Sequence, residues 1–597
     1  MPQRPQWPTS LALCLLLNAC GGGVTNPFPP STPGTPNIPP TVDSGPPFAP
    51  RADDLPAATS SIYPYPNALL RLSARYVNTP VAGPGNYLDA DKRCSPQNSP
   101  PGATYPNGLV TLDTVNLDES KNDACEPEIK LQLSGDALPA ASAKLRQRGS
   151  SSRLAEQKSY RIKYDSGTPW FGEDTFQLNK HPWDLTRVRN KLAFDLMREV
   201  PHHPSLRTQF VQLQYDDSNG TVRDMGLFTH VEKMGKSYLA RRGWVAGSNV
   251  YKAENFSFST DDLNQLTTKP DGSAGPDFEK SLSIEADSKQ HQAIIQTIKD
   301  INNENKDFNT VFNQHFNRNN YLTWLGTAIL LGNYDTQTQN FGLYQPLGTE
   351  KFYFLPWDYD GALGYPQQPG AEAHPEWTYG IGTWWANALH RRFMQQPGNI
   401  TLLTAAVAEL RQKYFTDARV QALLNQYRPT VEPLITQAPD LTNLPSQPQG
   451  NAQAWATEYQ RLLQVIEHNH QTFLQSLQAP LPYWIAASAQ GNALQLDWGW
   501  PTPFHPQGKP MTYRVEVARK PGNPSQAFDN ATLVRQEGGL RSTQWRLEGL
   551  PAGEYLLRVT ASDAQGHSTS AFNRYAMQGQ EILGAMCVQW PSGQECP

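Results

Sequence analysis

Asp335-Thr-Gln-Thr-Gln-Asn340, followed after a hydrophobic stretch by Asp358-Tyr359-Asp360, is the segment on which the reading of this chain turns. The apolar run from Tyr321 to Leu331 reads as a helix that ends at Gly332-Asn-Tyr-Asp335. Lys351-Phe-Tyr-Phe-Leu-Pro-Trp-Asp358 then reads as a short buried strand with a carboxylate at its end. An acid, an amide five positions later and a second acid on the next strand supply oxygen ligands for a divalent cation. They also supply a base for a hydroxyl proton, the parts that phosphoryl transfer from a metal-bound nucleotide requires. Asp360 lies two positions beyond Asp358, so both carboxylates face one side if the backbone stays extended, whereas a turn beginning at Gly361 would swing Asp360 away.

The remainder of the chain sets the frame for that segment. Its 597 residues exceed one ordinary domain, and 15 Trp, 24 Tyr and 22 Phe call for large aromatic cores, while 52 Pro and 43 Gly call for long loops. A formal net charge of −5 with no stripe of Lys and Arg argues against a nucleic acid polymer as partner.

Leu11-Ala-Leu-Cys-Leu-Leu-Leu17 is a short apolar core ending in Leu17-Asn18-Ala19-Cys20. This resembles a bacterial lipoprotein signal over residues 1–19, which implies lipid on Cys20, a membrane anchor and, with Gly21 next, passage to the outer membrane of the cell envelope. An ordinary secretory signal is the alternative. With Cys14 and Cys20 set aside, Cys94, Cys125, Cys587 and Cys596 remain, and an even remainder in an oxidising compartment suggests two disulfides. Closeness in sequence favours Cys94 with Cys125 and Cys587 with Cys596 among the three formal pairings.

Residues 20–56, with Gly21-Gly-Gly and Pro29-Pro, Pro39-Pro and Pro46-Pro, read as a disordered spacer. Gly108-Leu-Val-Thr-Leu-Asp113, Ile129-Lys-Leu-Gln-Leu133 and Lys158-Ser-Tyr-Arg-Ile-Lys-Tyr164 read as strands, and Thr186 to Glu199 as an amphipathic helix stopped by Pro201. Strands at Phe210 to Tyr215 and Asp224 to Val231 flank a turn cluster suited to a hairpin. Helical patterns fill 286–332 and resume over 388–478. Beyond Pro480, alternating strands such as Tyr513-Arg-Val-Glu-Val-Ala518 and Gly553 to Ala561 return, and Leu547-Glu-Gly-Leu-Pro-Ala-Gly-Glu-Tyr555 resembles a fibronectin type III module. The expected class is α+β: an atypical protein-kinase-like two-lobed domain over 57–480, β-rich to about 255, then a β-sandwich over 481–578 and a disulfide-closed tail over 579–597.

Seven motifs in order carry a more specific resemblance. Arg148-Gly-Ser-Ser-Ser-Arg153, Lys158 to Lys163, Val188-Arg-Asn-Lys-Leu-Ala-Phe-Asp195, Gly226 to Glu232, Asn249-Val-Tyr-Lys252, Asn333-Tyr-Asp335 with Asn340, and Pro356-Trp-Asp-Tyr-Asp360 are similar to the CotH family of secreted-type atypical kinases. The resemblance implies ATP with Mg²⁺ or Mn²⁺, and an exported protein as Ser/Thr acceptor. Carried onto these residues, it makes Asp335 the catalytic base, Asn340, Asp358 and Asp360 the metal ligands, and Arg148, Gly149 and Ser151 part of the loop over the phosphates. Lys158 becomes the phosphate lysine, with Lys163 as rival and Asp195 or Glu199 as its carboxylate partner, and Glu232 becomes a residue near the cleft.

Other readings compete at Asp358. The strand with Asp-x-Asp-Gly resembles a haloacid dehalogenase-type phosphatase, yet Ala362 stands where Thr is expected and a Pro-rich loop follows. An EF-hand loop needs Gly at position six and Glu at twelve, where Leu363 and Pro369 stand. His202-His203, between Pro201 and Pro204, read as loop residues rather than metal ligands. A binding protein on a degenerate kinase scaffold and an AMP-transferring enzyme remain the functional alternatives.

Overall fold

Alternation builds the first half of the molecule. A computed structural model describes residues 46–56, 60–65, 68–77, 99–105, 109–119, 125–136, 138–168, 170–368, 379–445 and 451–596; the expected signal, Cys20 and Cys94 lie outside them. Strands β1 (Leu70–Tyr76), β2 (Glu128–Gly135), β3 (Leu138–Arg148), β4 (Ser159–Tyr164), β5 (Thr175–Asn179), β6 (Thr208–Asp216) and β7 (Val222–Val231) close into a barrel in the order β1-β2-β3-β4-β5-β7-β6. Parallel pairing of β1 with β6 completes the ring. Leu72, Ile129, Leu131, Leu133, Leu145, Ile162, Phe176 and Leu213 fill its interior, the inward half of the period-two patterns.

A second sheet follows, in the order β11-β10-β8-β9: β8 (Asn249–Ala253), β9 (Leu282–Ala286), β10 (Phe341–Gln345) and β11 (Tyr353–Pro356). The helices are α1 (Leu112–Asn116), α2 (Arg189–Met197), α3 (Lys236–Arg241), α4 (Phe278–Ser281), α5 (Gln292–Ile301), α6 (Phe308–His315), α7 (Arg318–Leu331), α8 (Ala388–Met394), α9 (Asn399–Lys413), α10 (Asp417–Ile435) and α11 (Ala452–Ser476). Every residue of α7 is buried, which explains why its sequence is apolar all round instead of amphipathic. Each of its fully buried leucines contributes about 1.5–3 kcal/mol. The helix begins at Asn317, whose side chain accepts the Asn320 N–H, and ends at Gly332, left-handed at φ 63°. A Cβ at Gly332 would sit 2.6 Å from Asn469 Nδ2, so the chain turns out toward Asp335 only with glycine here.

The C-terminal part comprises a three-stranded sheet of β12 (Ala486–Gln490), β13 (Ala493–Asp497) and β16 (Gln544–Glu548) and a larger sheet. In the latter, β15 (Leu533–Leu540), β14 (Met511–Arg519), β17 (Gly553–Asp563), β21 (Ala585–Trp590) and β22 (Gln594–Glu595) run in that order, with β18 (Ser568–Ser570) beside β17; β19 (Arg574–Met577) and β20 (Gln580–Leu583) form a separate hairpin. One core that includes Leu496, Trp498, Val515, Val517, Leu557, Val559 and Val588 lies between the two main sheets. Trp385 stacks on Phe504 at 4.8 Å between ring centroids, fixing this part against the helices.

Helix and strand occur in near-equal shares, as expected of the α+β class. Several local expectations change. Gly108 to Asp113 reads as a strand, but Leu112–Asn116 is helical because Thr111 and Thr114 form a reciprocal capping box and Leu112 and Val115 turn inward together. Residues 46–56, inside the expected spacer, are bound to α7: Asp54 accepts from Asn317 and Asn319, and Ala49 O accepts from Asn319 at 2.8 Å. The expected tail contributes β21, paired along β17, to the larger sheet. The Cys587–Cys596 disulfide is formed, with Cα atoms 5.3 Å apart. Cys125 is buried and held in a disulfide.

His203 is 1% exposed, and neither ring nitrogen has a hydrogen-bond partner among the described residues, so burial pushes its pKa down to about 3. The unfolded chain binds that proton below its ordinary value near 6.5, and the folded chain does not. Stability is therefore full above about 6.5 and declines as pH falls toward 3. At about pH 5 the loss is about 2 kcal/mol. Urea titrations of His203→Phe should show a correspondingly flatter pH dependence than the parent between about pH 7.5 and 5; parallel curves would contradict this.

Candidate active site

The turn after α7 and the turn after β11 meet because β10 and β11 pair antiparallel, Phe341 opposite Pro356. Asn340, immediately before β10, and Asp358, just after β11, are thereby brought to the same end of the sheet. Both are left-handed, at φ 57° and 51°. Asn and Asp tolerate that region better than most residues but still at a cost, which the surrounding contacts must offset. Those contacts are present: Asn340 N donates to Ala253 O at 3.2 Å, and Asn333 Nδ2 donates to Asp358 O at 3.1 Å.

Asp335 accepts from Asn340 Nδ2 at 2.7 Å and from Gln339 Nε2 at 2.6 Å. Solvent reaches its carboxylate, yet enough protein crowds it to raise its pKa to about 6, with the charge of Asp360 adding to the effect. Asp358 is pushed much further above the usual range, first by burial and then by Asp360. Burial works on Asp360 as well, but the hydrogen bonds it accepts from His181 and Asp358 outweigh it and keep this carboxyl below the ordinary range. Like charges at close quarters thus drive the two acids apart, Asp358 upward and Asp360 downward. The Asp360 carboxylate is turned toward the site, its Oδ2 lying 3.2 Å from His181 Nδ1.

Arg148 closes the group from the barrel side. It ends β3, and the charges that most oppose the burial of its guanidinium are those of Asp358 and Asp360. Gly149 follows at φ 96°, where a Cβ would lie 2.0 Å from Ser152 Oγ, so the loop can fold over only with glycine. Ser151 is exposed at the start of a short 3₁₀ turn, Ser151–Leu154, that Arg153 ties back to Gly149 O at 2.8 Å.

Two expected participants are placed elsewhere. The Lys158 ammonium is engaged by Arg153 O at 2.7 Å and Glu119 at 3.2 Å, and neither proposed partner reaches it. Asp195 binds Lys191 at 2.8 Å, and Glu199 binds Arg419 at 2.7 Å. Lys163 faces solvent. Glu232 is fully buried among Arg207, Arg241 and Arg242, a structural ion cluster. Sequence reading passed over Lys252, His181 and Asn190. Lys252, in β8, pairs with Glu254 at 2.6 Å, lies 5.9 Å over the Trp357 ring and acts on the charge of Asp358. Lys252 and Asn190 stood inside motifs already singled out, whereas no pattern marked His181.

Carboxylates, an amide and an arginine beside a glycine turn are thus gathered at one end of the second sheet. The particular family follows from comparison: a model described as CotH kinase protein matches residues 145–473, more than half of the chain, and the chain belongs to the CotH kinase family. That membership gives it a kinase-like function. A search among curated proteins finds no match.

The residues present suit a divalent cation. Among the described residues no group of three or more His, Cys, Asp or Glu side chains is set to hold a metal. Two carboxylates with an amide oxygen are instead the sparse, hard-oxygen set that Mg²⁺ or Mn²⁺ takes when nucleotide phosphates and water complete the shell.

Proposed function

We propose that this protein is an extracytoplasmic protein kinase that transfers a phosphoryl group from ATP, with Mg²⁺ or Mn²⁺, to Ser or Thr of an exported protein. The observation that carries the reading is the pairing of Asp335 with Asn340 beside the Asp358–Asp360 couple, four oxygen-bearing side chains on two adjacent turns. Asn340, Asp358 and Asp360 would hold the cation, and Arg148 and Lys252 would meet the phosphates. A bound metal nucleotide supplies the phosphoryl group and neutralises the charge on its oxygens. Asp335, ionised above about 6, takes the proton of the acceptor hydroxyl.

The finer parts of the proposal rest on further features. A barrel core separate from the core of the second sheet and the helices, with Arg148 at the end of β3 feeling the charge of Asp358 after β11, supports the kinase-like architecture. The strand order β12-β13-β16 against β15-β14-β17-β21 supports a fibronectin type III-like module that binds or spaces. The Leu17-Asn18-Ala19-Cys20 motif supports a lipid anchor in the envelope, in the outer membrane. Among the described residues no helix is long and apolar enough to cross a membrane.

Purified protein incubated with γ-labelled or α-labelled ATP and Mg²⁺ or Mn²⁺, beside Asp335→Asn, tests the reading. Metal-dependent γ-label on protein should fall about 10²- to 10⁴-fold in the variant, the span attributed to a general base. Label from the α-phosphate alone would indicate AMP transfer. No label and no nucleotide binding would leave a binding protein on a kinase scaffold.

A further inference from the structure

The histidine that follows β5 and Lys180 has no part in the reading above, yet it touches the acidic couple. His181 is 4% exposed and held left-handed at φ 49°. Its Nδ1 lies 3.2 Å from Asp360 Oδ2, and its Nε2 lies 3.4 Å from Asn190 Nδ2 on α2. Asn190 in turn accepts the Tyr359 N–H at 3.1 Å through its oxygen. That backbone bond fixes which end of the amide faces the ring: the oxygen is committed to Tyr359, so the nitrogen donates to Nε2. Nε2 is then the acceptor, and Nδ1 carries the hydrogen that it donates to Asp360. One side chain on α2 therefore clamps both the backbone at Tyr359 and the imidazole that aims the next carboxylate.

We propose that His181, oriented by Asn190, is a positioning residue that holds the Asp360 carboxylate for the divalent cation, an inference that rests on the metal-nucleotide reading of this site. Through it, α2 and the segment that follows β5 are linked to the metal segment. Groups that orient a ligating carboxylate typically govern metal affinity 10- to 100-fold.

The test is Mn²⁺ affinity in the presence of ADP, read from the paramagnetic resonance signal of free Mn²⁺, with melting temperature recorded alongside. His181→Leu should weaken Mn²⁺ binding about 10- to 100-fold. His181→Asn, whose amide can stand where Nδ1–H stood and which suits a left-handed backbone, should recover most of it. Asn190→Ala, which keeps the histidine but frees its ring, should weaken binding in the same direction and carries the test if the leucine variant does not fold. Unchanged affinity in His181→Leu or Asn190→Ala, or an asparagine variant as poor as the leucine, overturns the positioning role while leaving the metal-nucleotide reading intact. Absence of Mn²⁺-dependent ADP binding in the parent protein overturns that reading, and this role with it.

Discussion

Asp358→Asn should reduce metal-dependent phosphoryl transfer on the order of 10³-fold or more, while leaving the fold as stable as before or slightly more so. On the function proposed above, the activity loss follows from removing a carboxylate that would hold the cation; stabilisation of charge on a transferring phosphoryl group is the largest single contribution in such sites. The stability expectation follows from the same feature. Asp358 is held well above the usual carboxylate range by burial and by Asp360, so without a cation the pair is a strained element of the structure. Asparagine removes the repulsion, keeps the shape and accepts the left-handed backbone at φ 51°. Label transfer and thermal melting on one preparation check both halves. Activity within tenfold of the parent, or a melting temperature several degrees lower, would count against this account.

Glu232→Ala should destabilise the protein by about 3–5 kcal/mol, because it strands buried arginines without their counter-ion. Arg241 Nε donates to Glu232 at 2.9 Å, Arg242 donates through both terminal nitrogens at 3.1 and 3.0 Å, and the Arg207 N–H donates at 3.1 Å. Burial alone would raise the pKa of Glu232, but Arg242, Arg241 and Arg207 overcome it and hold the group at about 2. A carboxylate with a depressed folded-state pKa stabilises above its ordinary value near 4.5 and loses that contribution as pH falls through about 2. The cluster joins β6, β7 and α3, so its loss should be felt in the global urea transition. A shift below about 1 kcal/mol would mean that the arginines find water or other partners on truncation. Glu232→Gln should cost less, since the amide retains hydrogen-bond acceptance while losing the charge.

These two residues also show where sequence reading works and where it does not. That Asp335, Asn340 and Asp358 lie on two neighbouring turns is a local matter: a buried helix, a glycine stop, a fixed number of residues, then a short apolar strand. Each follows from chain geometry within about thirty residues, and the strand pairing of β10 with β11 then forces the turns together. Glu232 was misplaced for the opposite reason. A Gly-x-x-x-His-Val-Glu segment indicates a strand end but not what surrounds it, and the three arginines, 9, 10 and 25 residues away, carry no spacing signal and are turned toward Glu232 only by the folding of α3 and the β6–β7 pair. Lys158 failed similarly. It reads as the first residue of a strand, whereas β4 begins at Ser159, and Glu119 and the Arg153 carbonyl, brought in from beyond the barrel's first helix and from the 3₁₀ turn, hold the ammonium.

Strands β2, β4, β6 and β7, the apolar helix α7 and the acidic turns at its end are legible in the amino-acid sequence alone, since each is written in the order of neighbouring residues. Which charges meet is settled by packing. His181, Asn190 and Arg148 reach the Asp358–Asp360 couple from different elements, and Lys158 and Glu232 are drawn away from it. The physical reason is that a buried charge must be matched by an opposite charge or a hydrogen bond within a few ångströms. Which group provides the match depends on how the barrel and the helical body pack, information that no short stretch of sequence contains.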